Sequence, residues 1–159
     1  MTEAVIVATA RSPIGRAAKG SLVSIRPDDL SAQIVKALMA KVPSVSASDV
    51  EDLIMGCGQP AGEAGFNIAR VTAVLAGLDE APGVTVNRYC SSSLQTIRMA
   101  AHAIKAGEGD CFIAAGVETV SRYAAGASDT APNSVFSSAG ERTASPVSYT
   151  HLTLPTRLM

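Results

Sequence analysis

The sequence predicts an α/β fold in which a mostly parallel sheet is covered by helices. Two observations carry this prediction. Short apolar runs alternate with amphipathic stretches of helical length, and glycine or proline separates them with short links. The resulting order is β-α-β-α-β-α-β, and such alternation favours parallel strands joined by right-handed crossovers.

Four apolar runs are the predicted strands, and they cover residues 4–8, 53–55, 84–86 and 111–115. The first is uninterrupted, as is typical of a strand that is covered on both faces. Ligands of such sheets bind beyond the carboxyl ends of the strands, so functional residues are expected at that edge.

Three amphipathic stretches are the predicted helices. The first begins at Pro27 and ends before Pro43, the second covers residues 67–75, and the third runs from Leu94 to a C-cap at Gly107. Apolar residues at helical spacing predict the buried faces. These residues are Leu30, Ile34, Val35, Leu38 and Met39 in the first helix, Ile68, Val71, Val74 and Leu75 in the second, and Leu94, Ile97, Ala101 and Ile104 in the third.

Composition excludes several classes of protein. The chain has 159 residues, is 47% hydrophobic and carries a formal net charge of −1, so neither nucleic acid nor an anionic membrane is an expected partner. No apolar run is long enough to span a bilayer, and no export signal precedes the first strand. The three cysteines are widely spaced, which argues against a disulfide framework and a metal site and favours the cytoplasm.

Cys90 is the candidate catalytic residue. It follows the third predicted strand and precedes the third helix, so it lies at the positive end of that helix. Such a site favours the reactive thiolate, and the N–H groups of the first helical turn can stabilise an oxyanion. The alternative is a buried and inert thiol.

The residues around Cys90 resemble the nucleophile motif of the thiolase family, in which acyl-CoA transferases cleave or form 3-ketoacyl-CoA. The motif is VNRYCSSSLQTI, residues 86–97. Residues 4–15 resemble the opening strand and turn of thiolases, and residues 67–70 also fit. Residues 114–121 resemble a third motif, although Ala115 replaces the first of its paired glycines. The resemblance covers about the first 125 residues.

The resemblance implies that Cys90 forms an acyl thioester and that its backbone N–H is an oxyanion donor. Acyl-CoA and CoA are then substrates, with no cofactor, and the full-length protein is a homodimer or homotetramer. Thiolases supply a histidine and a second cysteine from a second half that this chain lacks. The chain by itself is therefore expected to have no turnover.

The resemblance also predicts the domain organisation. Residues 1–121 form part of the thiolase N-terminal domain, and residues 122–146 begin the loop domain, which holds most of the CoA contacts in the family. Residues 147–159 resemble no thiolase segment. They look like a translated sequencing adapter, and they are expected to be non-native.

Three other functions remain open at the level of sequence. Ketosynthases share the fold and have similar residues around their nucleophile, and thiolase-like lipid carriers bind acyl-CoA without catalysis. A mononucleotide-binding domain is disfavoured because the turn after the first strand lacks the glycine fingerprint. Glu118 is interpreted as a structural hydrogen-bond acceptor, with a site role as the alternative. His102 lies about 18 Å along the third helix from Cys90, too far to act as its base.

Overall fold

The computed structural model describes residues 3–122. Its strands are β1 Asp52–Gly56, β2 Gly83–Val86 and β3 Phe112–Gly116. Its α-helices are α1 Pro27–Lys41, α2 Ile68–Ala76 and α3 Ser92–Ala106. All strand pairs are parallel, so the predicted α/β fold with a parallel sheet covered by helices is confirmed.

The central strand of the sheet is β1, and the strand order is β2-β1-β3. At the carboxyl edge, Gly56 pairs with Val86 on one side and with Gly116 on the other. Leu53 and Met55 of β1 are fully buried in the core. The three strands therefore end together at one edge, where the residues that follow them meet.

The predicted first strand does not form. Residues 4–8 belong to no strand, and Val5, Ile6 and Val7 are 71–75% exposed. The segment is fixed near its end, where Lys41 Nζ donates to the carbonyl of Thr9 at 2.7 Å. A strand requires a paired neighbour, and within residues 3–122 this segment has none.

A groove of about 640 Å³ lies beside this segment. Residues 4–12 line it together with apolar residues of α1 and α3 and with β3. Among the described residues, β3 pairs only with β1. The groove therefore separates an extended apolar segment from an open edge of the sheet.

The helices exist as predicted, and Ile68 of α2 is fully buried as predicted, but most of the other predicted inward residues of α2 and α3 are not buried. Val74 and Leu75 of α2 are 47% and 41% exposed, and Leu94 of α3 is 70% exposed. Small residues are buried instead. They are Ala69, Thr72 and Ala73 in α2 and Ser92, Thr96 and Ala100 in α3. In α1, Val35 is buried as predicted, whereas Leu30 and Ile34 line the groove.

Glycines in the strands explain this reversal. A Cβ on Gly83 would lie 2.5 Å from the backbone nitrogen of Arg70 in α2. A Cβ on Gly56 would lie 2.6 Å from the backbone of Ser92 and Ser93 in α3. Because the helix backbones lie directly on the strands, only small side chains fit between them, and the larger apolar side chains point elsewhere.

Ion pairs connect distant parts of the described chain. Arg26 binds Asp28 at 2.8 Å and Glu63 at 3.2 Å, and Glu63 also pairs with Arg122. Arg122 donates in addition to the carbonyl of Ser24 at 3.2 Å. This ion-pair cluster holds the last described residue against the loop before α1. Residues 123–159, with nearly all of the predicted loop-domain start and the predicted non-native tail, lie outside the described residues.

Candidate functional site

Cys90 lies between a strand and a helix, where the sequence places it. β2 ends at Val86, a one-turn 3₁₀ helix covers Tyr89–Ser91, and α3 begins at Ser92. Cys90 is an exposed residue, so the alternative of a buried thiol is wrong. Cys90 stands two residues before the first residue of α3, a helix of 15 residues.

The residue before Cys90 has an unusual backbone conformation. Tyr89 has φ = 46°, in the left-handed region that residues with a Cβ seldom adopt. Side chains satisfy both of its backbone groups. The N–H donates to Asn87 Oδ1 at 2.8 Å, and the carbonyl accepts from Ser92 Oγ at 2.7 Å. Ser92 Oγ also accepts from the N–H of Arg88 at 2.8 Å, so the turn is closed on both sides.

The turn after β2 is connected to the ends of the other strands. Asn87 Nδ2 donates to the carbonyl of Gly58, two residues beyond β1, at 3.1 Å. The carboxylate of Glu118, which follows β3, accepts from the N–H groups of Gly58 and Gln59. Glu118 is therefore a structural acceptor, as interpreted from the sequence.

The first turn of α3 also contacts the other strands directly. A Cβ on Gly116 would lie 1.9 Å from Ser93 Oγ, so the Ser93 side chain occupies the space beside the end of β3. Thr96 is fully buried and donates to the carbonyls of Ser93 at 2.8 Å and Ala115 at 3.2 Å. These contacts fix the helix that carries Cys90 to the carboxyl edge of the sheet.

The other two cysteines occupy different environments. Cys57 is 2% exposed and belongs to the hydrophobic core. Burial, reinforced by the nearby Glu118 carboxylate, raises its pKa to about 12. Cys111 is half-buried against the same core, and burial raises its pKa as well. Neither environment favours a thiolate at neutral pH, which leaves Cys90 as the candidate nucleophile.

His102 is an exposed residue within α3, and the described part of the chain contains no group of three or more histidine, cysteine or acidic residues placed to hold a metal ion. Within the same range, no helix combines the length and hydrophobicity needed to cross a bilayer.

Sequence reasoning missed the residues that hold the turn, which are Asn87, Gly58 and Ser92. In a common turn motif, an asparagine side chain accepts a hydrogen bond from the backbone N–H two residues later. Asn87 and Tyr89 have this spacing in the sequence. The contact of Asn87 with Gly58 depends on how the strands pair, and no local pattern shows it.

Comparisons with known proteins agree with this geometry. Residues 4–150 match the family described as thiolase, N-terminal domain. A 3-ketoacyl-CoA thiolase of Shewanella frigidimarina is 48% identical over 119 residues, covering 74% of this chain and 31% of that protein. A 3-ketoacyl-CoA thiolase of Bacillus subtilis is 47% identical over 134 residues, with coverages of 84% and 34%. A beta-ketoadipyl-CoA thiolase of Acinetobacter baylyi is 51% identical over 123 residues, with coverages of 77% and 30%. The chain thus spans about a third of the length of these relatives.

Proposed function

Because this chain belongs to the thiolase family, we propose that the complete protein is an acyltransferase that cleaves or forms 3-ketoacyl-CoA through a thioester on Cys90. The observation that carries the proposal is the exposed Cys90 thiol in the turn between β2 and the N-terminus of α3. The three relatives named above are thiolases, which favours this activity over a ketosynthase or a lipid carrier.

In the proposed reaction, the Cys90 thiolate attacks the 3-keto carbon of the substrate. The new sulfur–carbon bond forms and the bond between C2 and C3 breaks, so that its electron pair passes to C2. A general acid protonates C2, and acetyl-CoA leaves. The thiol of a second CoA loses its proton to a base and attacks the thioester, which transfers the acyl group and restores the Cys90 thiolate.

The backbone N–H of Cys90 is proposed as one oxyanion donor in these steps, because it lies at the start of the helical turns that lead into α3. The general acid and base are assigned by the family resemblance to a cysteine and a histidine in the second half of thiolases. His102 does not serve this purpose, since it lies about 18 Å along the helix from Cys90.

The family of relatives also supports a finer proposal. Names that specify 3-ketoacyl-CoA and beta-ketoadipyl-CoA favour a degradative enzyme over a biosynthetic acetoacetyl-CoA enzyme. We propose a cytoplasmic homodimer or homotetramer for the complete protein. No disulfide joins Cys57, Cys90 and Cys111 in the described residues, which suits a reducing compartment.

We propose the domain boundaries that the resemblance implies, with a partial N-terminal domain in residues 1–121 and the start of the loop domain in residues 122–146. Residues 147–159 are proposed to be translated adapter. The DNA that encodes them provides the test: a verbatim adapter sequence supports the proposal, and genomic sequence that continues through these codons overturns it.

Trapping of the acyl intermediate tests the proposed activity. The complete protein, incubated with acetoacetyl-CoA in the absence of free CoA, is expected to gain an acetyl group on the tryptic peptide of residues 89–98, which contains Cys90. Cys90→Ala is expected to abolish both the adduct and thiolysis. Thiolysis that survives in Cys90→Ala would overturn the proposal.

The 159-residue chain is expected to show no thiolysis of acetoacetyl-CoA, because the proposed acid and base lie outside it. The measurement is the loss of acetoacetyl-CoA absorbance in the presence of CoA. A rate that Cys90→Ala abolishes would show that the chain contains its own acid and base.

A further inference from the structure

A continuous set of hydrogen bonds runs from Glu118 to the turn that carries Cys90. The Glu118 carboxylate accepts from the N–H of Gly58, whose carbonyl accepts from Asn87 Nδ2 at 3.1 Å. Asn87 Oδ1 in turn accepts from the N–H of Tyr89 at 2.8 Å. Gly58 follows β1, Asn87 follows β2 and Glu118 follows β3. The position of Tyr89 therefore depends on residues at the ends of all three strands.

Tyr89 needs such support because its left-handed conformation is unfavourable for a residue with a Cβ. Conformations of this kind persist where surrounding contacts impose them, and they are frequent at functional sites. A relaxed Tyr89 would change how the chain from β2 enters Cys90, and the turn between β2 and α3 would have to rearrange. The hydrogen bond from the Tyr89 N–H to Asn87 Oδ1 is thus in a position to determine the shape of the turn that carries Cys90.

Direct packing reinforces the same connection. A Cβ on Gly58 would lie 3.3 Å from Glu118 Oε1 and 3.3 Å from Tyr89 Cα. The space that a side chain on Gly58 would need is therefore bounded by both the carboxylate and the strained residue. Because these atoms are closely packed, a movement of the loop after β1 would also displace the turn before Cys90.

We propose that Asn87 is a positioning residue for Cys90 and that Glu118 anchors Asn87 through Gly58. The proposal deepens the function proposed above, since it rests on Cys90 as the nucleophile. Neither residue has to touch the substrate, and both act by holding Tyr89 in the conformation that shapes the turn carrying Cys90.

Alkylation by iodoacetamide measures this effect in the chain as it exists. Trypsin places the cysteines in separate peptides, with Cys57 in residues 42–70, Cys90 in residues 89–98 and Cys111 in residues 106–122. Mass spectrometry of a time course therefore gives the second-order rate constant for each thiol. Rates are measured at several pH values, because thiolate abundance and thiolate access change the profile differently.

Asn87→Ala is expected to lower the rate constant of Cys90 by about three- to tenfold, since the turn that presents the thiol loses two of its hydrogen bonds. Asn67→Ala is the matched control. Asn67 also makes two side-chain hydrogen bonds to β2, to the Gly83 carbonyl at 2.7 Å and from Thr85 Oγ1 at 2.8 Å. It is not part of the hydrogen bonds that lead to Tyr89, so its removal is expected to leave the Cys90 rate within about twofold of the original.

Two substitutions of Glu118 separate its hydrogen bonds from its charge. Glu118→Gln and Glu118→Ala both remove the charge, but only glutamine keeps an oxygen that can accept from Gly58. Glu118→Ala is expected to lower the Cys90 rate as Asn87→Ala does, and Glu118→Gln is expected to restore most of it. The double variant Asn87→Ala/Glu118→Ala is expected to be no slower than either single variant, because the two residues act in series.

The outcomes distinguish this inference from the proposed function. An original chain in which Cys90 reacts no faster than Cys57 or Cys111 would overturn the nucleophile role. Selective reaction of Cys90 that Asn87→Ala leaves unchanged or accelerates would overturn the positioning role alone. The same holds if Asn67→Ala slows Cys90 as much as Asn87→Ala does, or if glutamine at position 118 behaves like alanine.

Discussion

Glycine 56 determines how closely α3 approaches the sheet. A Cβ there would lie 2.6 Å from backbone atoms of Ser92 and Ser93, which cannot rotate away as a side-chain tip can. The first turn of α3, next to Cys90, would have to move. A side chain at this residue would therefore change both the packing of α3 on the sheet and the geometry of the candidate site.

Gly56→Ala is expected to lower the free energy of unfolding by about 3 kcal/mol, because overpacking against backbone is not relieved by a change of rotamer. Gly107→Ala is a suitable control. Gly107 has φ = 78° with no atom within 4 Å of its missing Cβ, so the loss there is conformational strain alone, about 1 kcal/mol. Urea unfolding followed by circular dichroism measures both, and equal losses would contradict the packing argument.

Burial also separates the cysteines in reactivity. Because the pKa of Cys57 is raised to about 12, its thiolate is scarce at pH 8, and its side chain is shielded from reagents. Labelling of the native chain at pH 8 is expected to modify Cys90 and to leave Cys57 intact, whereas labelling in urea modifies both. Peptide masses provide the measurement. Rapid native modification of Cys57 would contradict its place in the core.

At the scale of elements, the positions of the three helices and of β1 to β3 were predictable, whereas the strand predicted at residues 4–8 does not form and the buried faces of α2 and α3 were predicted only in part. The apolar residues of α2 and α3 repeat at helical spacing, yet Leu75 and Leu94 are exposed. Periodicity locates an apolar stripe but does not say what covers it. Gly56 and Gly83 in the strands were the missing signal, since strand glycines allow a helix backbone to approach and leave room only for small side chains.

The candidate site, too, was predictable only in part from the sequence. The place of Cys90 between strand and helix follows from local patterns, and it was predicted. The link from Asn87 through Gly58 to Glu118 joins residues that follow three different strands. Such a link depends on the strand order, and no local sequence pattern predicts the order β2-β1-β3.

The ion-pair cluster makes stability depend on pH. The hydrogen bond from Arg122, with the added charge of Arg26, lowers the pKa of the Glu63 carboxyl below its ordinary value. A lowered folded-state pKa contributes stability above the unfolded value, near 4.5, and that stability is lost as the pH falls through the folded-state pKa. The urea midpoint is therefore expected to fall between about pH 5 and pH 3.

Glu63→Gln is expected to lower the midpoint at pH 7 and to reduce its fall in acid. Glu80→Gln, an exposed substitution outside the ion-pair cluster, is expected to keep the original acid dependence. The size of the effect is modest because exposed ion pairs are screened by solvent. An unchanged acid slope in Glu63→Gln would show that the cluster contributes nothing measurable.

At the scale of the whole molecule, the described chain exposes surfaces that promote association. Within residues 3–122, β2 and β3 each pair only with β1, which leaves backbone groups at both edges of the sheet. The apolar residues Val5, Ile6 and Val7 lie beside the open edge of β3 across the groove. Open edges and contiguous apolar surface together favour contacts between chains.

The chain is expected to show a mass that rises with concentration in light scattering. Ile6→Lys is expected to reduce this association, because it places a charge in the apolar segment. Ile14→Lys, which introduces the same charge at a residue that is 89% exposed and outside the groove, is the control and is expected to have a smaller effect. Equal effects of the two variants would point to net charge rather than to this segment.

The hydrogen bonds that link Glu118, Gly58, Asn87 and Tyr89 all lie between residues 58 and 118, and β1 and β2 are each followed by a helix that packs on the sheet. During synthesis on the ribosome, the nascent polypeptide acquires all of these parts once Glu118 has left the exit tunnel. Domains fold as units from the N-terminal side as translation proceeds. The turn that carries Cys90 therefore has all of its described hydrogen-bond partners by the time residue 118 has emerged.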